Sequence, residues 1–131
     1  MFDHEKLKVY QRALDFVEWV SKLKIKQVKP KPKVIEHLDD ASTSIVLNIA
    51  EGNGKYSSKD RCNYFDISRG SALESAAALD VLLRKTLISE SDNLEGKGIL
   101  KDVISMLVGL IKSNSNRVYE KGEDYGVIES D

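Results

Sequence analysis

Residues 34–58 read VIEHLDDASTSIVLNIAEGNGKYSS, the pattern of an amphipathic helix followed by a tight turn. Apolar residues recur at steps of three and four, as on one face of an α-helix; they are Val34, Ile35, Leu38, Ala41, Ile45 and Ile49. We expect this helix to begin near Lys33 and to run to about Glu51. Gly52 and Gly54 follow, and glycine adopts without strain the left-handed conformation that often ends a helix.

The same periodicity on either side of this stretch predicts three more helices. Their expected bounds are residues 5–23, residues 57 or 58 to 87 with a serine cap, and residues 94 to 113 or beyond. Four amphipathic helices joined by short turns predict an all-α fold, an antiparallel up-and-down four-helix bundle. We expect it to fill residues 1–119.

Two local features of the third and fourth helices carry further expectations. The stretch SESDNLEGKG, residues 89–98, is expected to be the last turn, with Ser91 or Asp92 as a helix cap. Gly70 lies inside the third helix, where glycine costs about 1 kcal/mol relative to alanine. We expect two helices to approach each other closely there.

Composition indicates one domain, because the chain has 131 residues. Its single cysteine, Cys62, cannot form an internal disulfide, which favours a reducing compartment. We find neither the apolar core of a signal peptide nor the roughly 20 apolar residues that span a bilayer. The expected location is the cytoplasm, without membrane contact.

Charge is unevenly distributed along the chain. The formal net charge is −1, but residues 120–131 contain five acids and one base, so the remainder carries 19 basic against 16 acidic residues. We therefore expect a mildly basic bundle with an acidic, frayed C-terminal tail at residues 120–131. Dedicated nucleic-acid-binding domains are usually far more basic.

The residues that usually carry catalysis are scarce. The two histidines, His4 and His37, lie in neither a Glu-x-x-His nor a His-Glu-x-x-His motif, so the common di-metal and zinc-protease patterns are absent. No phosphate-binding glycine loop precedes a helix. We predict a protein that is not an enzyme and that uses no cofactor or metal.

Polar residues continue the apolar faces of the two central helices. Asn48 and Glu51 follow Ile45, and Ser71 and Glu74 follow Ile67, each at helical spacing. Because a carboxylate is almost never fully buried without a partner, Glu74 should meet hydrogen-bond donors. We expect these four polar residues to form a structural network. The alternative is an acid–base or small-molecule pocket built around Glu51 and Glu74.

Basic residues are concentrated in two places. One group surrounds the turn after the second helix and includes Lys55, Tyr56, Lys59, Arg61 and Arg69, which could contact RNA or form a subunit interface; we favour the interface. The other is KLKIKQVKPKPK, residues 22–33, with six lysines and two prolines. It is either a solvated linker or a phosphate contact.

Two motifs resemble one known family. The run from Asn48 to Lys55, NIAEGNGK, resembles the signature Asn-Ile-Ala-Glu-Gly-x-Gly-Arg/Lys, and residues 67–74, ISRGSALE, resemble its companion. Both are typical of the four-helix-bundle proteins of the 23S rRNA intervening-sequence family. Residues 7–14 are similar to that family's first helix, so the resemblance covers about residues 5–113.

The resemblance implies a bundle that assembles into a homopentamer. Family members are encoded in intervening sequences of bacterial 23S rRNA genes, and similar proteins are accessory subunits of reverse transcriptases in diversity-generating retroelements. It implies a scaffold or adaptor that contacts RNA or a nucleic-acid enzyme, with structural and interface roles for the matching residues Asn48, Glu51, Gly52, Gly54, Lys55, Gly70, Ser71 and Glu74. This chain departs from the family in Ser68, where alanine is common, in its lysine-rich segment and in its low net charge.

Overall fold

In a computed structural model, residues 1–120 form four α-helices, preceded by a 3₁₀ turn at Asp3–Lys6. The structure describes the backbone of residues 1–120 and the side chains of residues 1–115. The helices are α1 (Lys8–Lys22), α2 (Val34–Asn53), α3 (Ser58–Arg84) and α4 (Glu90–Glu120). No strand occurs in residues 1–120, so the predicted all-α fold is confirmed. The predicted tail lies outside the described residues from position 121 onward.

Each helix packs against its neighbours in the chain, and α1 also packs against α4, which closes the four-helix bundle. Its core consists of residues on the inward stripes of all four helices, and the largest fully buried side chains include Phe16, Leu38, Ile45, Ile49, Phe65, Leu79, Leu82, Leu100 and Leu107. This bundle is the predicted architecture. None of the helices within residues 1–120 is long and apolar enough to cross a membrane.

The end of α2 differs from the prediction. The helix includes Gly52 and ends at Asn53, and Gly54 caps it with φ −84°, which is right-handed and not left-handed. Gly52 is buried, and a Cβ there would lie 3.0 Å from atoms of Tyr64 and Phe65. Gly52 is therefore needed because α2 and α3 approach each other closely at this position.

Within one chain, no helix of the described residues approaches Gly70 closely, so the close approach that we predicted is not found inside the bundle. Gly70 is exposed, and a Cβ built on it would have no neighbour within 4 Å. A close approach through glycine does occur at Gly96, where a Cβ would lie 2.5 Å from the Trp19 ring. The contact joins α4 to α1, because Trp19 lies near the end of α1.

The last turn of the bundle is shorter than predicted. α3 ends at Arg84, and α4 begins at Glu90, inside the stretch that we expected to be a turn. The cap is Ser89, whose Oγ accepts a hydrogen bond from the Asp92 backbone N–H at 3.0 Å, and not Ser91 or Asp92. The serines, acids and glycines of residues 89–98 resemble a turn, but here they form a capped first turn and a close helix contact.

The segment between α1 and α2 is hydrogen-bonded to the turn between α3 and α4. The Lys26 backbone N–H donates to the Leu87 carbonyl at 2.9 Å, and Leu23 and Ile25 pack against the core as half-buried side chains. The connection is therefore anchored although it contains no helix.

Candidate functional site

The seam between α2 and α3 holds a short chain of polar side chains. The Ser44 and Ser71 hydroxyl oxygens lie 2.8 Å apart, and the Asn48 amide donates to the Ser44 hydroxyl at 3.0 Å and to the Ser44 carbonyl at 2.9 Å. Nearby, the buried Ser68 hydroxyl donates to the Ile45 carbonyl at 2.8 Å. The Ser44–Ser71 and Ser68–Ile45 bonds join α2 to α3, whereas the Asn48 bonds lie within α2. Ser68 is a member that the predicted network lacked.

Glu51 and Glu74 lie outside this network. Both carboxylates are exposed, and Glu51 forms an ion pair with Lys55 at 3.2 Å. The expected inward position of Glu74 is wrong, because three residues of a helix turn through about 300° and so carry position 74 about 60° past Ser71 toward solvent. The structure therefore brings Asn48 and Ser71 together and leaves both acids hydrated.

The guanidinium of Arg61 is hydrogen-bonded within the bundle. It donates to the Asn53 carbonyl at 2.7 Å and to the Asn114 side-chain oxygen at 3.0 Å, and it lies 5.7 Å from the centre of the Phe65 ring. It thereby joins α3 to the end of α2 and to α4. Arg61 therefore has a structural role within the bundle, and its contact with RNA or a partner stays a prediction.

The remaining residues around this turn differ in availability. Lys55 lies 5.1 Å above the Tyr64 ring, and its hydrogen bond to Glu51 raises its pKa above the ordinary value. Arg69 forms an ion pair with Asp66 at 2.9 Å. Tyr56 is fully exposed, and Lys59 is exposed. Tyr56 and Lys59 are thus the members that the bundle leaves most available.

Exposed apolar side chains that the sequence analysis did not predict lie on α2 and α3. They are Leu47, Ile67, Leu73 and Val81, with exposed fractions of 61%, 52%, 49% and 41%, and we refer to them together as the apolar stripe. On α3 they span about 120° of the helix circumference, because Leu73 follows Ile67 by six residues. We had placed Ile67 on the inner face. The inner face is instead marked by Cys62, Phe65, Ala72 and Leu79, all of them buried. Apolar residues on α3 therefore follow two faces, one with Ile67 and one with Phe65. The larger side chain of Phe65 was the sequence signal that indicates which of these faces is buried.

The lysine connector, residues 22–33, lines an open groove of about 590 Å³. Its lining combines apolar and basic residues; they are Ile25, Lys26, Gln27, Val28, Lys29, Lys31, Pro32 and Ile35. A separate shallow cleft of about 450 Å³ at the other end of the bundle includes His4, Glu51 and Lys55, but not Glu74.

The described residues show neither a metal-binding cluster nor an activated thiol. Within them, no group of three or more His, Cys, Asp or Glu side chains is placed to hold a metal ion. Cys62 is buried, and this burial raises the pKa of its thiol, which keeps the sulfur protonated and unreactive.

Comparison with known proteins agrees with this architecture. A model of the family described as 23S rRNA-intervening sequence protein matches residues 5–109. A crystal structure of a protein of unknown function from the S23 ribosomal protein family of Bacteroides thetaiotaomicron superposes with a TM-score of 0.70 at 20% identity, covering 79% of this chain and 98% of that one. No significant sequence match occurs among curated proteins.

Proposed function

The chain belongs to the family of 23S rRNA-intervening sequence proteins, and from this premise we propose that it is a homo-oligomeric scaffold, a pentamer, that contacts RNA or a nucleic-acid enzyme such as a reverse transcriptase. It acts by assembly and not by catalysis. The observation that supports self-assembly most directly is the apolar stripe on α2 and α3.

The stripe has the features of an unpartnered helix face. Isolated exposed apolar residues are common on soluble proteins, but a group of them on adjoining helices is typical of an interaction site. On α3, Gly70 and Ala77 are exposed between the larger members Ile67, Leu73 and Val81. Small residues between large ones give a second helix room to pack closely, so we place the contact between copies here.

Glu74 gives this face a polar position as well. Its carboxylate is exposed beside Ile67 on the same side of α3, since positions 67 and 74 are two helical turns apart. Asn48 and Ser71 lie half-buried and buried, respectively, in the adjacent seam. In an assembly of copies, Asn48 and Ser71 would then make contacts inside each bundle, and Glu74 would make contacts between bundles.

The alternative, a small-molecule or enzymatic pocket built around Glu51 and Glu74, has less support. Glu51 lines the cleft at the end of α2, whereas Glu74 does not, and Glu51 is paired with Lys55. The two carboxylates therefore do not share the site that a paired acid–base mechanism needs.

Size-exclusion chromatography with light scattering tests the assembly. A pentamer would have about five times the chain mass of 14.7 kDa. The substitution Ile67→Glu should dissociate it, because charge on the stripe opposes burial between copies. Leu94→Glu is the matched control: Leu94 is 71% exposed on α4, away from the stripe, and its replacement should leave the mass unchanged.

Circular dichroism on both variants confirms that the helices form. A wild-type monomer at micromolar concentration would refute the oligomeric scaffold. Equal dissociation by both variants would show that the contact lies elsewhere.

A further inference from the structure

The connector between α1 and α2 displays its lysines in an ordered way. Leu23 and Ile25 pack toward the core, while Lys24 and Lys26 alternate with them and are exposed. The backbone bond from Lys26 to Leu87 attaches the segment to the bundle. Because the backbone is already anchored, a ligand would have to order little more than the lysine side chains, which lowers the entropic cost of binding.

The connector's charge is largely uncompensated. All six lysines are exposed, and the segment contains no acidic residue. Among the described side chains, Lys22 alone of the six forms an ion pair, with Glu18 at 2.8 Å. Five ammonium groups within ten residues repel one another, and this repulsion is relieved when an anion binds.

The groove beside these lysines also offers an apolar surface. Its lining includes the basic residues Lys26, Lys29 and Lys31 and the apolar residues Ile25, Val28 and Pro32. Its volume of about 590 Å³ is in the range of small-ligand sites. A strand whose phosphates meet these lysines can place an unpaired base against the apolar lining, whereas the bases of a duplex are paired and stacked.

The composition of the connector favours nucleic acid over the other polyanions. Protein interfaces are enriched in aromatic residues and arginine and depleted in lysine, whereas residues 22–33 contain six lysines, no arginine and no aromatic residue. Membrane-surface segments combine basic residues with exposed large apolar side chains. Here Leu23 and Ile25 pack against the core, which leaves Val28, 38% exposed, as the one exposed large aliphatic side chain of residues 22–33.

We propose that the lysine connector binds the phosphate backbone of single-stranded RNA, with Lys26, Lys29 and Lys31 as the central contacts. The proposal rests on the RNA contact named above and moves it from the Tyr56–Lys59 turn to the opposite end of the bundle. Glu36 and Asp39, at the start of α2, line the adjoining cavity and would repel phosphates. The strand would therefore follow the connector and not the face of α2.

Fluorescence anisotropy with a labelled 20-nucleotide oligouridylate at low salt tests the proposal. The triple substitution Lys26→Gln, Lys29→Gln and Lys31→Gln should weaken binding about tenfold or more. It should also reduce the slope of log affinity against log salt by about 2, because each lost phosphate contact on a single strand contributes ~0.7. A DNA oligomer of equal length should compete equally well, since lysine–phosphate contacts do not read the 2′-hydroxyl.

The matched control removes the same charge at the other end of the bundle. Lys6→Gln, Lys8→Gln and Lys59→Gln replace three exposed lysines, one of them in the turn around Tyr56. This variant should bind within about twofold of wild type. Equal loss in both triple variants, or no loss in the connector variant, would overturn the connector as the binding surface while leaving RNA binding itself in place.

Two further measurements separate this proposal from its premise. Absence of wild-type RNA binding at low salt would refute the RNA contact of the proposed function, and the connector proposal with it, while light scattering reports the assembly independently. Binding to vesicles of phosphatidylcholine and phosphatidylserine that exceeds binding to the oligomer would identify the connector as a membrane contact and overturn the RNA assignment.

Discussion

Arg61 shows how one side chain can hold the end of this bundle together. Its guanidinium satisfies a carbonyl at the end of α2 and the Asn114 side-chain oxygen on α4, while its own backbone belongs to α3. Asn114 is 2% exposed, so removal of the guanidinium would leave its oxygen without this partner in a site that water scarcely reaches.

We predict that Arg61→Ala lowers the free energy of unfolding by about 2–3 kcal/mol, the range for losing charge-assisted hydrogen bonds and leaving a buried acceptor unsatisfied. Urea unfolding followed by circular dichroism measures the change. Lys59→Ala, two residues earlier and exposed, should stay within about 0.5 kcal/mol of wild type. An Arg61→Ala variant as stable as Lys59→Ala would contradict the assigned role.

Thr86 ends α3 in a conformation that suits glycine better. Its φ is +59°, and among the described residues it is the one non-glycine residue with a positive φ. The Thr86 N–H donates to the Leu83 carbonyl at 2.8 Å and the Leu87 N–H to the Leu82 carbonyl at 2.9 Å, the two bonds of a Schellman motif. A β-branched side chain in this region is strained.

Thr86→Gly should therefore raise the stability, by about 0.5–1 kcal/mol after the extra backbone entropy of glycine in the unfolded chain is subtracted. Thermal unfolding would show an increase in Tm of a few degrees. Thr86→Ala serves as the control, because alanine removes the hydroxyl and retains the Cβ. If alanine stabilised the protein as much as glycine, the strain would not come from the backbone.

At the scale of helices, α3 and α4 are joined by a charged contact near the connector end. The Asp80 carboxylate accepts hydrogen bonds from Lys97 and from the Asn93 amide, and Lys97 is the larger cause of a pKa below the ordinary 3.8. Stability from a carboxylate with a lowered pKa is present above the unfolded-state pKa and is lost as pH falls through the folded-state value.

Asp80→Asn should accordingly be less stable than wild type at pH 7, by at most about 1 kcal/mol because the carboxylate is half exposed. The difference should narrow as pH falls below 3.8 and disappear once the folded-state carboxyl is protonated. Thermal melts from pH 7 to pH 2 measure it. Glu74→Gln, at an exposed carboxylate without an ion-pair partner among the described residues, should show no such trend. A difference that is the same at every pH would argue against the charge effect.

The existence of the helices was predictable because apolar residues recur at helical spacing along each of them. The spacing of Leu38, Ile45 and Ile49 predicts α2, and the structure buries all three. The start of α4 was not predictable in this way, since Gly96 is a poor helix former that the contact with Trp19 requires. Such a contact depends on two helices distant in sequence, and no local pattern contains it.

The candidate site was predictable only in part, for a related reason. Asn48 and Ser71 lie on inner phases and do meet across the seam through Ser44. Glu51 and Glu74 follow Asn48 and Ser71 by three residues, which places them about 60° further around their helices. Such a rotation is enough to move a carboxylate from the seam to solvent, and the sequence pattern does not resolve it. The internal hydrogen bonds of Arg61 were not predicted, because sequence does not show whether an arginine finds acceptors within its own fold.

At the scale of the whole molecule, charge is separated along the chain. The lysine connector lies at one end of the bundle, and the sequence of residues 120–131 is acidic. Acids tethered to the same protein compete with RNA for lysines and repel its phosphates, and both effects are screened by salt.

Removal of residues 120–131 changes the formal net charge from −1 to +3. We predict about threefold or greater strengthening of RNA binding at low salt, with the gain lost near 0.5 M salt. Replacement of the five acids by their amides keeps the length and should have the same effect. If truncation strengthened binding and amidation did not, the tail would act by occupying space and not by its charge.

The packing of Trp19 against Gly96 has a practical consequence. Trp19 is the single tryptophan of the chain, it stacks on Phe16, and its indole N–H donates to Glu95 at 2.9 Å. Its emission therefore reports one event, the docking of the first helix on the last. A shift of that emission to longer wavelength, at a denaturant concentration where circular dichroism is unchanged, would mark a state in which the helices persist and this pair has parted.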